Sequence, residues 1–156
     1  MMHKSEIEIV EYSPEYKEAI RLLNYEWLEK YFSTEPNDVL QLNNPEKEIL
    51  DKKGVIYYAK LAGYIVGTAS LMYKEKHVYE LSKMAVTAHA QGKGIGKMLM
   101  SKCIEKAREL KAVKLILYSN TRLSNAIAIY KQYGFIEIAM KDKMYARSNI
   151  YMEKYL

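Results

Sequence analysis

The most informative stretch of this 156-residue chain reads MAVTAHAQGKGIGK and spans residues 84–97. A strand-like run ends at Val86, and three glycines then lead from a short loop directly into a long amphipathic segment. Glycine lets the backbone approach a ligand closely, and the free amides and dipole of a helix N-terminus favour negative charge. The stretch therefore predicts a cradle for phosphate groups.

Two familiar phosphate-binding motifs fail on spacing. A P-loop needs four residues between its first glycine and Gly-Lys-Ser/Thr. Here three residues separate Gly92 from Gly96, and Met98 stands where the magnesium-binding hydroxyl belongs. The dinucleotide fingerprint requires G-x-G-x-x-G, whereas this chain reads G-x-G-x-G, and its next strand ends on Ser119 rather than on an acidic residue.

Hydrophobic periodicity predicts the remaining elements. The predicted helices span 14–32, 45–54, 94–111 and 123–133, with the second opening at Asn44-Pro45 and ending near Gly54. The predicted strands span 7–12, 55–60, 64–73, 77–86, 113–119, 135–140 and 145–152. The order βααβββαβαββ indicates an α/β or α+β fold around one sheet. Because no linker, repeat or low-complexity tract interrupts it, we expect a single domain over residues 1–156.

Two further features carry a family resemblance. Gln91, Gly94 and Gly96 fit the pattern Q/R-x-x-G-x-G/A, which resembles the pyrophosphate-binding motif of the GNAT superfamily of N-acetyltransferases. The segment 125–135 resembles the second signature of that family, and the segment 80–86 resembles its fourth strand. Since the element order also agrees, the resemblance covers essentially the whole chain.

The resemblance implies a GNAT-type fold, with a mixed, mostly antiparallel sheet flanked by helices, and acetyl-coenzyme A as co-substrate without a metal. Pantetheine would lie along the fourth strand, and the glycine turn would hold the pyrophosphate. The residues so assigned are Met84, Ala85, Val86, Gln91, Gly92, Lys93, Gly94, Ile95, Gly96, Lys97, Asn120, Asn125 and Tyr130. The two lysines are equally typical of a solvated surface, and either asparagine is equally suited to capping the helix over 123–133.

Tyr130 matches the tyrosine that family members place near the thioester sulfur. A phenol there would donate a proton to the departing thiolate. The alternative is a packing residue in a chain that holds fifteen tyrosines.

Glu80 occupies a strand position where related enzymes often keep a catalytic glutamate, so it is the candidate base for the acceptor amine. Strand alternation predicts that Glu80 shares a face with Ser82 and Met84, opposite Leu81 and Lys83. The alternative role for Glu80 is an ion pair with Lys83 or another basic residue.

The acceptor site is expected between the first helices and the late strands. Trp27 and Tyr31 are the candidate walls, with Phe32 and Glu35 beside them, although aromatic residues at helical spacing are more often core. Arg147, with Glu80, completes the candidate substrate site, because a guanidinium binds a carboxylate in bidentate fashion and would favour amino-acid-like amines. The alternative for Arg147 is a surface salt bridge.

Composition excludes several classes. The single Cys103 rules out an internal disulfide, and its position suggests a buried apolar side chain rather than a nucleophile. The histidines His3, His77 and His89 lack metal-ligand spacing. No apolar run spans a bilayer, and residues 1–6 lack the apolar stretch of a secretory signal. A net charge of +5 that is spread along the chain makes nucleic acid the weaker partner. We expect a cytoplasmic protein, compatible with a homodimer.

The sequence therefore predicts an N-acetyltransferase that moves an acetyl group from acetyl-CoA directly to a primary amine of a small molecule within a ternary complex. Two alternatives remain open. One is a protein or peptide N-acetyltransferase, since fold alone does not fix the substrate. The other is a non-catalytic domain of the same fold that binds coenzyme A or nucleic acid.

Overall fold

The computed structural model describes residues 6–141 and 144–156, so His3 and the rest of residues 1–5 lie outside it. Its strands are β1 (Ile7–Glu11), β2 (Val55–Leu61), β3 (Tyr64–Glu75), β4 (Val78–Val86), β5 (Lys114–Ser119), β6 (Ile136–Ile138) and β7 (Ile150–Tyr155). Its α-helices are α1 (Lys17–Tyr31), α2 (Pro36–Asn43), α3 (Ile95–Glu109) and α4 (Ser124–Gln132).

The seven strands form one sheet in the order β1-β2-β3-β4-β5-β7-β6. All neighbouring pairs are antiparallel except β4 and β5, which run parallel. This confirms the predicted α/β class, the mostly antiparallel sheet and the order of strands and α-helices.

Helices cover both faces of the sheet, because its central strands carry apolar side chains in both directions. Tyr57 and Ala59 of β2 face a core shared with α3 and α4. Ile56 and Tyr58 face a second core shared with α1 and α2. The alternation along one strand thus assigns each helix layer to its side of the sheet.

The position of the second helix was predicted wrongly. The α-helix begins at Pro36 and ends before Asn44, and the predicted segment instead holds a π-helical turn over Glu46–Leu50. Proline at the first position fixes a helical φ, and the Asp38 carboxylate accepts a hydrogen bond from the Glu35 amide at 2.9 Å. These start signals lie in a polar stretch in which the apolar periodicity is weak.

The last strand was also predicted too early. The residues from Tyr145 to Asn149 form a turn, with the Ser148 amide bonded to the Tyr145 carbonyl at 3.0 Å, and β7 extends to Tyr155. Aromatic and alternating residues made this turn resemble a strand in the sequence.

A β-bulge in β4 changes the direction of its side chains. Ser70 pairs with Ser82 and Thr68 pairs with Ala85, so two residues of β4 oppose one of β3. Lys83, inside the bulge, has a φ of 55°. The extra residue turns Lys83 toward the α1–α2 side and Met84 into the core on the other side. The predicted faces of Lys83 and Met84 are therefore wrong.

Among residues 6–141 and 144–156, the structure contains no helix that is long and apolar enough to cross a membrane.

Candidate active site

A cavity of about 910 Å³ opens where β4 and β5 separate. Their parallel pairing covers only Val78–Glu80 against Lys114–Ile116. Beyond Glu80 the two strands diverge. The cavity extends from the start of α3 to the C-terminal end of α1 and the first turn of α2. A sheet that splits in this way leaves one edge of β4 without a partner strand, available to an extended ligand.

The start of α3 forms one end of the cavity. The first backbone bond of this helix runs from the Met98 amide to the Gly94 carbonyl. Among the described residues, none accepts a hydrogen bond from the six consecutive amides of residues 92–97. Gly92 and Gly94 have φ values of 81° and 80°, a region that glycine adopts without strain. The geometry is that of an anion cradle.

The polar side chains of the glycine turn differ in their surroundings. Gln91 donates a hydrogen bond to the Val86 carbonyl at 3.0 Å and so ties the turn to the end of β4. Lys93 and Lys97 are exposed and line the cavity mouth, where each could contribute positive charge.

The two candidate asparagines lie on the opposite wall. Asn120 donates to the Arg147 carbonyl at 2.6 Å and accepts from the Arg122 amide at 2.8 Å. Asn125 is exposed in the first turn of α4, and no side chain caps this helix. Neither asparagine therefore caps α4. Asn120 shapes the loop before it, while the Asn125 amide faces the cavity.

Tyr130 lines the cavity from α4 and packs edge-on against Phe135, with ring centroids 6.0 Å apart. Burial raises the pKa of the Tyr130 phenol to about 12. The phenol therefore stays protonated at physiological pH and is able to donate a proton.

Glu80 lies at the point where β4 and β5 separate, and only 2% of it is exposed. Its carboxylate contacts Lys74 Nζ at 3.4 Å rather than pairing with Lys83. Burial raises the pKa of Glu80, and the positive charges of Lys74 and Lys83 oppose that rise. A carboxyl group with a raised pKa is a stronger base once ionised.

Lys83 is a cavity residue that the sequence analysis placed on the wrong face. Its Nζ lies 3.3 Å from the Tyr145 hydroxyl and 3.6 Å from Asp38 Oδ1. Burial lowers the pKa of Lys83, and the charges of Asp38 and Glu80 partly offset this effect. The Asn24 side chain, itself buried, donates to the Lys83 carbonyl at 3.2 Å and holds the bulge. A lysine close to Glu80 in a predicted central strand was the available sequence signal.

Arg147 joins the turn before β7 to α2. Its guanidinium donates to both carboxylate oxygens of Asp38, at 2.7 and 2.9 Å, and to Glu35 at 3.2 Å. Glu35 also accepts from the Ala146 amide at 2.8 Å. Because Asp38 occupies the bidentate face of Arg147, the predicted carboxylate-binding role of Arg147 would require Asp38 to give up these bonds. That role stays a prediction.

Asp38 is fully buried, and burial alone would raise its pKa. The hydrogen bonds from Arg147 and the Glu35 amide, with the charge of Lys83, outweigh burial and lower the pKa of Asp38. The pair is thus a stable ionic tie between two segments far apart in the chain.

Aromatic side chains complete the acceptor end. The Trp27 indole donates to Asn24 at 3.1 Å, and its ring lies 5.7 Å from the Arg147 guanidinium carbon. Tyr31 is 41% exposed, and its carbonyl accepts from Arg122 at 2.9 Å. Both predicted wall residues line the cavity, together with Phe32 and Tyr145.

Cys103 is buried in α3, away from the cavity lining, and burial raises the pKa of its thiol to about 12. Such a thiol holds almost no thiolate. Within residues 6–141 and 144–156, no group of three or more potential ligands is arranged to hold a metal ion.

Strands β2 to β5, the glycine turn and helices α1 to α4 lie within a match to the acetyltransferase (GNAT) family over residues 17–135. The chain belongs to the GNAT family.

Individual relatives share a limited part of the sequence with this chain. Over 101 residues, this GNAT chain is 30% identical to the uncharacterized N-acetyltransferase YvbK of Bacillus subtilis, covering 63% of this chain and 65% of that protein. The chain thus spans just under two thirds of that relative's length.

Solved structures share the fold along nearly the whole chain. A GNAT-family acetyltransferase from Staphylococcus aureus Mu50 superposes with a TM-score of 0.88 at 25% identity, covering 96% of this chain and 98% of that one. PaiA N-acetyltransferase from Thermoplasma acidophilum, solved in complex with coenzyme A, gives 0.73 at 19% identity over 96% and 99% of the chains. The second likeness concerns the fold alone.

Proposed function

We propose that this chain transfers an acetyl group from acetyl-CoA to the amine of a small molecule, by direct attack within a ternary complex. The observation that carries the proposal is the run of six amides at residues 92–97, which have no acceptor among the described residues and face a cavity beside the free edge of β4. These features fit a ligand with a pyrophosphate at one end and an extended, amide-containing arm.

The proposed donor would lie with its pyrophosphate at the start of α3 and its thioester toward Glu80. The amides of Gly92 to Lys97 would hold the pyrophosphate, with Lys93 and Lys97 adding charge at the mouth. Pantetheine would follow the backbone of residues 84–86, which lie beyond the last β5 pair. Asn120 and Asn125 would bound the arm from the opposite wall.

The residues at the inner end supply the proton transfers. The acceptor ammonium would lose a proton to Glu80, directly or through water, and its lone pair would attack the thioester carbonyl. As the new C–N bond forms, the C–S bond breaks, and Tyr130 would donate its proton to the departing thiolate. The nitrogen of the new amide would lose its second proton, directly or through water, to the Tyr130 phenolate, which restores the phenol, and Glu80 would release its proton to solvent.

A small acceptor is favoured over a peptide by the ion pairs of Arg147. They join the segment before and within α2 to the turn before β7. Asp38 and Arg147 line the same cavity as Glu80 and Lys83. Arg122 adds a second tie to the end of α1. A polypeptide acceptor would have to displace these bonds, whereas a small amine need not.

The test of the donor site compares two glycine substitutions by calorimetric titration with acetyl-CoA. Gly94→Glu should abolish binding, because it adds bulk and negative charge to the cradle. Gly63→Glu is the matched control: Gly63 has a similar φ of 84° but lies in the β2–β3 hairpin with open space around it. Native-like binding by Gly94→Glu, or no binding by folded native protein, would contradict the proposal.

A further inference from the structure

We infer that Lys83 recognises a carboxylate on the acceptor, so that the acceptors are small amino acids rather than simple amines or polyamines. The inference rests on the proposed function. It transfers to Lys83 the anion-binding role that the sequence suggested for Arg147.

The first support is the incomplete pairing of Lys83. Its side chain is 4% exposed and lines the cavity, yet its two polar neighbours among the described residues lie at 3.3 and 3.6 Å. Charge-assisted hydrogen bonds from an ammonium are usually about 2.7–2.9 Å long. A buried ammonium with three donors and only long contacts is costly unless a further acceptor reaches it.

The second support is the distribution of the surrounding charges. Asp38 is committed to the Arg147 guanidinium through two bonds and also accepts from the Glu35 amide. Glu80 pairs with Lys74. The anionic groups that face Lys83 are thus already shared with other cations. Lys83 is therefore a buried cation without an anion of its own among the described residues, and an anion arriving with the substrate would complete its pairing.

The third support is the backbone that places Lys83 there. The φ of 55° puts a lysine in the left-handed region, which costs roughly 1 kcal/mol or more for a non-glycine residue. Asn24 fixes this conformation by accepting the Trp27 N–H and donating to the Lys83 carbonyl. Strain that surrounding structure maintains is typical of positions used in binding.

The arrangement suits a molecule with both charges. Glu80 and Lys83 lie on the same side of β4 and line the same cavity, so the ammonium of an amino acid can approach Glu80 while its carboxylate approaches Lys83. The hydroxyl and the ring of Tyr145 both contact Lys83. Tyr145 would therefore orient the Lys83 ammonium toward the carboxylate of the amino acid.

The experiment measures kcat/KM for matched acceptors. Each standard amino acid is compared with its carboxamide and with its decarboxylated amine, using native protein, Lys83→Met and Lys83→Arg. The native enzyme should prefer the carboxylate-bearing members by about 10- to 100-fold, the value of a charged hydrogen bond. Lys83→Met should remove that preference, measured as the ratio of kcat/KM between each carboxylate-bearing acceptor and its two analogues. Because the ratio is taken within one variant, any effect of the lost charge on Glu80 cancels. Lys83→Arg should retain part of it.

Equal rates across each matched set in native protein would overturn the inference, as would an equal loss for all acceptors in Lys83→Met. A binding measurement separates this result from failure of the proposed function. The ligand for this measurement is the N-acetyl derivative of the preferred amino acid, titrated calorimetrically in the presence of coenzyme A. Native protein should bind this product, and Lys83→Met should bind it at least about tenfold more weakly. Loss of acetyl-CoA binding itself would contradict the proposed function, whereas acetyl-CoA binding without carboxylate preference contradicts only the role of Lys83.

Discussion

Glu80 and Lys83 show how a single strand presents two opposite charges to one cavity. Regular alternation would separate residues three positions apart onto opposite faces. The bulge inserts one extra residue, so the buried lysine faces the same way as the buried glutamate. Each charge alone would be destabilising in this environment, and their shared location is consistent with use in substrate binding and proton transfer.

Glu80→Gln should lower kcat/KM by about 10²- to 10⁴-fold, the usual contribution of a general base. Because burial raises the pKa of Glu80, native activity should rise with pH through a midpoint above the ordinary value of 4.5. The glutamine variant should lose that limb and retain only the ionisation of the acceptor amine. The measurement is a pH profile of kcat/KM, with the exposed Glu137→Gln as control. An unchanged limb in Glu80→Gln would exclude it as the base.

Two helices, α3 and α2, differ in how clearly the sequence predicts them. The apolar stripe of α3 and the glycines before it gave its position to within a few residues. The shorter α2 was missed, since its start depends on Pro36 and Asp38 rather than on periodicity. Asp38 in its first turn pairs with Arg147, 109 residues away, and no local pattern predicts such a pairing.

In α3, Gly96→Ala distinguishes the effect of this position on helix stability from its effect on acetyl-CoA binding. A Cβ at Gly96 would meet no protein atom within 4 Å. Alanine should therefore leave the fold intact and stabilise it by about 0.5–1 kcal/mol. Acetyl-CoA affinity should stay near the native value, because the pattern Q/R-x-x-G-x-G/A accepts alanine at this position. Urea unfolding and calorimetry are the two measurements, and a large loss of affinity would show that the ligand approaches Gly96 more closely than that pattern allows.

Across the whole molecule, the fold class and order of the elements were predictable because periodicity and glycine motifs are local signals. The family match agrees with them. The sequence also named about half of the residues that line the cavity, including Tyr130 and the glycine turn. It could not predict the buried network of Asp38, Lys83 and Arg147, since that network depends on a bulge and on contacts between distant segments.

Global stability should depend on the Asp38–Arg147 pair. Arg147→Met leaves a buried carboxylate without its partner and should lower the free energy of unfolding by about 3–5 kcal/mol near neutral pH. Lys17→Met, which removes a half-exposed partner of Glu46, should cost less than about 1 kcal/mol. Urea unfolding of both variants checks this, and equal small losses would show that the buried pair contributes little.

The Asp38–Arg147 pair should also make the stability difference between native protein and Arg147→Met depend on pH, with a sign that follows from the pKa of Asp38. The native pKa of Asp38 is below its ordinary 3.8, so its stabilising contribution is complete above that value and is lost as pH falls through the lowered pKa. In Arg147→Met, the guanidinium no longer offsets the burial of the Asp38 carboxylate. Protonation of Asp38 at low pH then removes the cost of burying its charge. The gap in unfolding free energy between native and variant should therefore narrow toward about pH 4. A gap that is constant with pH would mean that Asp38 is not its source.

The buried Cys103 has a practical consequence for every kinetic measurement above. Acetyl transfer releases one free thiol per turnover, and chromogenic disulfide reagents detect such thiols continuously. The only cysteine of this chain is enclosed within α3, with a thiol pKa near 12. Such reagents should therefore leave the folded protein unlabelled. Slow colour formation without acceptor would then report hydrolysis of the thioester, and a stoichiometric burst would report unfolding.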